Sequence, residues 1–200
     1  MQTISSNFIL DFKLGDNIVY NLKIAKTLYH HKEICRNELL NKPIILINTS
    51  IIEAIMYDFI EKIKVLKREG INLPDLTIDY INDLKKTDKF SLIIDQFSKH
   101  EIIKVKNFDL IENLRELSTI RNRIHIQNVT SKLEADDKKA FSAERLIISE
   151  KVLEIIVKVM TEKYERRNKS AIEHVEDFCL PFREYFEELD YEALEADFNF

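Results

Sequence analysis

Two glycines and three prolines in 200 residues limit this chain more than any other feature of it. The full set is Gly15, Gly70, Pro43, Pro74 and Pro181. Both residue types break helices, and turn-rich β folds need many of them, so their scarcity favours long helices. It also removes the common phosphate-cradling loops. With only two glycines, 55 positions apart, neither a P-loop nor a Rossmann fingerprint can be assembled.

A chain that is 45% apolar and 32% charged reads as globular, and 200 residues are enough to bury one sizeable core. Cys35 and Cys179 match no metal or redox spacing and are expected as buried, reduced thiols. His30-His31 with Cys35 lacks the second pair that a metal site needs, so no cofactor or metal is expected. The start "MQTISSNFILDF" has no basic n-region or long apolar core, and no apolar run looks long enough to span a bilayer. The expected setting is therefore cytoplasmic, without a membrane.

Hydrophobic spacing supplies the elements. Residues 4–14 read either as a hairpin turning at Gly15-Asp16 or as an irregular lead-in. From Asp16, Ile18, Leu22, Ala25 and Tyr29 share a face, predicting a helix to about Leu40. Pro43 suits a first helical position, because its missing N–H would be unpaired there anyway. Behind it Ile44, Ile47, Ile51, Ile55, Phe59 and Ile63 recur every three or four residues, flanked by Ile45, Ile52, Met56, Ile60 and Leu66, up to a C-cap at Gly70. So wide a stripe predicts a central helix. "LPDLTIDYINDLKK" reads as a shorter helix, and Thr87 as the cap of "DKFSLIIDQFSKH". Asn107 or Asp109 is the expected cap of "LIENLRELSTIRNRI", with "QNVTSKLEADDKKA" a loop. Another long helix is predicted from about Ala140 to Arg166. The expected fold is an all-α bundle of five to seven helices with short connections and antiparallel neighbours.

Charge divides the chain unevenly. From Glu173 to Phe200 ten acids stand against Arg183 alone, a charge of −9, which leaves +4 on residues 1–172 of a chain whose total is −5. The 173–200 segment is also rich in aromatics, so it is expected to form a short helix or two packed on the 1–172 domain. Either it covers the basic surface and competes with an anionic ligand, or it completes the core.

Within the basic part, "TIRNRIHIQN" at 119–128 places Arg121, Arg123 and His125 within five positions. On a continuous α-helix, positions four apart lie about 40° apart around the axis, so Arg121 and His125 would share a face. Arginine brings a permanently charged donor fork suited to phosphate oxygens, and histidine gives or takes a proton near neutrality. An RNA strand carries its own nucleophile, the 2′-hydroxyl, so these two groups suffice for its cleavage without a metal. The plainer reading is a helix end whose cations favour the macrodipole. Glu53 is either a carboxylate that orients His125 or an exposed helix residue. Arg115 reads as solvated. Arg166, Arg167 and Lys169 read as a helix end or as an extension of an RNA track.

"LRELSTIRNRIHI" resembles the signature of the HEPN superfamily, in which an Arg, a polar residue such as Asn, and a His follow one another near the end of an amphipathic helix. Arg121, Asn122 and His125 match it, and "NTSIIEAIMYDFIEKI" resembles the helix that packs against it; the likeness covers about residues 43–165. The resemblance implies a HEPN-like helical bundle, homodimers with the motif at the interface, and metal-independent endoribonuclease activity. It also implies a place in toxin–antitoxin, abortive-infection or phage-defence systems, with an antitoxin or defence protein as partner. Arg121 and His125 would be catalytic, and Asn122 and Arg123 would bind phosphate. Other members act as non-catalytic dimerisation, RNA-binding or scaffold modules. The three residues between Arg121 and His125, fewer than the family usually has, keep that alternative open.

Overall fold

A computed structural model describes residues 2–68, 89–124, 136–164, 175–185 and 191–193. Helix α1 (Phe12–Cys35) begins four residues earlier than its period implied, because the Asp11 side chain accepts the Leu14 N–H at 3.0 Å and caps it. Gly15 therefore lies inside a helix and not in a hairpin turn. Ile18, Leu22, Ala25 and Tyr29 are buried as their spacing predicts. The helix stops at Cys35, short of Leu40, where Arg36 turns left-handed (φ 47°). A 3-10 turn (Glu38–Leu40) follows, capped by Asn37.

Helix α2 (Asn41–Arg68) is central, as expected, but it begins two residues before Pro43, which is its third residue and not its first. It packs against α1, α3 (Phe90–Lys99), α4 (Leu110–Arg121) and α6 (Ala143–Tyr164). Its isoleucines at 44, 45, 51, 52, 55, 60 and 63 are all buried. The segment Glu38–Lys64 is, contrary to expectation, long and apolar enough by composition to cross a membrane, but 61% of its most apolar window is buried inside the protein. A core helix that touches several neighbours needs that composition. Several of its buried polar groups find partners on other elements, while Asn41 Oδ1 and Asn48 Oδ1 are buried without one among the described residues. Asn48 Nδ2 donates to the Tyr29 hydroxyl and to Ser149 Oγ, and the Asp58 carboxylate accepts the Leu10 and Asp11 N–H groups. Asp58 thereby fastens the irregular lead-in to the bundle.

Phe90, Ile93, Ile94 and Phe97 of α3 are buried, as are Leu110, Leu114 and Leu117 of α4. Asp109, one of the two expected caps, accepts the Glu112 N–H at 3.0 Å. A short helix, α5 (Asp137–Ala140), forms where a loop was expected, because Asp136 caps it by accepting the Lys138 N–H. In α6, Leu146, Val152, Ile155, Ile156 and Val159 are buried, while Ile147 is 40% exposed. Gly70, the helix expected over 73–86, Thr87, and Arg166, Arg167 and Lys169 lie outside the described residues.

The described C-terminal residues are not helical. Strand β3 (Phe178–Leu180) pairs antiparallel with β1 (Gln2–Ile4), and β4 (Tyr191–Ala193) pairs antiparallel with β2 (Ile103–Val105). Phe178 and Leu180 are buried while Cys179 between them is partly exposed, a period of two, and Pro181 has no N–H to give a helix. With Val175, Phe182 and Tyr185 also buried, residues 175–185 complete the core. The fold is thus mostly helical, with two short ladders added. Neither cysteine is buried as expected: Cys35 is exposed just before the left-handed turn, and Cys179 sits on the outward side of β3.

Candidate functional site

The motif segment is delivered by α4. Leu110, Leu114, Leu117 and Ile120 pack this helix inward, which turns Arg121 toward the edge of the bundle. The α-helix ends at Arg121, and Asn122–Ile124 continue as a 3-10 turn. The α-helical register that would place Arg121 and His125 on one face therefore stops at Arg121. His125 itself lies outside the described residues.

The Arg121 guanidinium forms an ion pair with Glu53 of α2 and keeps 37% of its side chain exposed. A half-exposed pair of this kind contributes less than about 1 kcal/mol to folding. Its structural effect is to hold a long side chain in one place at the surface. Glu53 is part-buried and not exposed, and it carries Arg121; the reading of it as a support for His125 falls on a residue outside the described ones.

Arg123 is placed differently from a phosphate ligand on the surface. Its side chain is 6% exposed, and Nη2 lies 2.9 Å from Asp137 Oδ1. The other oxygen of Asp137 accepts from Lys42 Nζ at 2.7 Å. Two cations from separate elements thus share one carboxylate, and the Lys42 hydrogen bond first, then the two positive charges, hold that carboxyl below its usual range. Lys42 also sits 5.0 Å above the Phe141 ring. Asn122 is exposed beside them. Arg145 donates to Glu116 at 2.7 Å and to the Lys139 carbonyl at 2.9 Å, tying α4 to the α5–α6 corner. Arg115 pairs loosely with Asp95 at 3.4 Å on the surface.

Asp137 and Lys42 were missed in the sequence because they lie 95 positions apart and only the fold joins them. The adjacent acids Asp136-Asp137, one capping and one bridging, were the local signal. His30 and His31 are exposed on α1, and among the described residues no group of three or more His, Cys, Asp or Glu is placed to hold a metal ion. No family model matches this chain, and neither a curated protein nor a solved structure matches it.

Proposed function

We propose that the chain is a HEPN-like endoribonuclease, homodimeric and cytoplasmic, acting without a metal in a toxin–antitoxin, abortive-infection or phage-defence system. The observation that carries this reading is Arg121: a guanidinium at the end of an amphipathic helix, positioned by Glu53 and still open to solvent. A phosphate can take the place of the Glu53 carboxylate on the same donor fork.

In the proposed reaction the RNA 2′-oxygen attacks the adjacent phosphorus. A new 2′-O–P bond forms, and the bond from phosphorus to the 5′-oxygen breaks. His125 takes the proton from the 2′-hydroxyl or gives one to the departing 5′-oxygen. Arg121 stabilises the charge that builds on the non-bridging oxygens, and Asn122, exposed beside it, contacts the phosphate. The products are a 2′,3′-cyclic phosphate and a 5′-hydroxyl.

The 3-10 turn at Asn122 favours a second reading, a non-catalytic dimerisation, RNA-binding or scaffold module, since it ends the register the pair was expected to use. The two readings separate in one experiment. Wild type, Arg121→Ala and His125→Ala are expressed under tight induction, and growth and RNA integrity are followed with and without EDTA. The ribonuclease reading expects RNA loss with wild type alone, unaffected by EDTA. Identical behaviour of all three chains removes it and leaves the module. Light scattering on the purified chain tests the dimer separately.

A further inference from the structure

A cleft of about 960 Å³ opens between the 3-10 turn at Glu38–Leu40 and the corner where α5 meets α6, within the size range of ligand sites. Its charge is uneven. Arg36 and Lys138 line it, both exposed, and neither makes an ion pair among the described residues. Of the two acids among the described residues of its wall, Asp137 is already occupied by Lys42 and Arg123, which leaves Glu38. Its apolar surface is also unusual. Leu39 is 80% exposed at the rim, because the Asn37-capped turn holds it out of the core. The cleft adjoins the motif, since its wall residue Asp137 is the partner of Arg123, two positions after Arg121.

We infer that this cleft seats a nucleotide of single-stranded RNA beside the scissile phosphate, with backbone phosphate on Arg36 and Lys138 and the base against Leu39. The choice of ligand rests on the proposed ribonuclease reading, while the positive charge and the exposed leucine rest on the structure alone. Single-strand sites join a cationic track for the backbone to side chains that take the base face, most often aromatic rings; here Leu39 offers an aliphatic surface. The Arg123–Asp137–Lys42 bridge would keep the cleft in register with Arg121.

Anisotropy of a fluorescent 2′-O-methyl oligoribonucleotide tests this on the full chain. That probe has no nucleophile, so binding is read apart from cleavage. Arg36→Gly and Lys138→Ala are each expected to weaken binding roughly three- to tenfold and to lower the salt slope by about 0.7. Leu39→Ala should weaken binding and leave the slope unchanged. Arg36→Gly should fold at least as well as wild type, because glycine suits φ 47°. Lys104→Ala, on β2 and outside the cleft, should bind as wild type does. Three results overturn the inference: no binding by wild type, unchanged affinity and slope in both cation variants, or an equal loss in Lys104→Ala. Cleft-dependent binding by a chain that leaves unmodified RNA intact upholds the cleft and removes the ribonuclease reading.

Discussion

Arg121 and Arg123 stand two positions apart in one motif, and the fold gives them opposite environments. Arg121 is half-exposed on Glu53, while Arg123 is buried on Asp137. Removing Arg121 leaves a carboxylate that water can reach, so Arg121→Ala should change stability by less than about 1 kcal/mol. Removing Arg123 opens a hole and strips one of two cations from Asp137. Because Asp137 remains 46% exposed and keeps Lys42, the loss should be about 1–2 kcal/mol, short of that for a fully buried pair. Urea unfolding of the two variants checks this, and equal shifts would show the two arginines to be energetically alike. The sequence marked both residues as cations of one cluster. Which of them faces outward depended on where α4 ends and its 3-10 turn begins.

At the scale of elements, α1 shows how a local rule yields to packing. Glycine inside a helix costs about 0.5–1 kcal/mol against alanine, so propensity alone makes Gly15→Ala stabilising. A Cβ there would lie 2.6 and 2.8 Å from the two Val175 γ-carbons and 3.3 Å from Ile9 Cγ2. Overpacking of this kind costs roughly 1–3 kcal/mol, so the net expectation is a loss of about 1 kcal/mol. Adding Val175→Ala should remove the clash and recover part of the loss in a double-mutant cycle; additive effects would refute the contact. The glycine was conspicuous in the sequence as one of two, but its reason is a valine 160 positions away. The C-terminal strands were illegible for a similar cause. Three-residue strands carry too short a pattern to compete with the helical aromatic spacing around them, and their partners lie at residues 2–4 and 103–105.

Across the whole molecule, one buried carboxylate joins the parts. Glu150 of α6 accepts from the Tyr29 hydroxyl of α1 at 2.8 Å and from the Tyr185 hydroxyl of the C-terminal segment at 2.5 Å. Asn48 of α2 reaches Tyr29 in the same network. Burial raises the Glu150 carboxyl above its ordinary value of 4.5; the Tyr185 and Tyr29 hydrogen bonds and the charges of Lys32 and Arg183 oppose the shift without cancelling it. The folded chain thus keeps a proton that the unfolded chain has released. Stability from this site is fully present below the unfolded value and falls as pH rises through the raised one. Glu150→Gln cannot titrate, so its melting temperature should gain on that of wild type as pH rises above the ordinary carboxyl value of 4.5; parallel curves would contradict this. The amino-acid sequence by itself determined the helical class, the central α2 and the buried faces of α1, α3, α4 and α6, and it narrowed the cap of α4 to Asn107 or Asp109. These follow from periods and caps that act within a few residues of themselves. The tertiary structure alone decided the rest: Glu53 beside Arg121, Asp137 between Lys42 and Arg123, Val175 over Gly15, and a C-terminal segment paired with strands far back in the chain. Each of those is a contact between distant positions, and its energy exists only after the helices have packed.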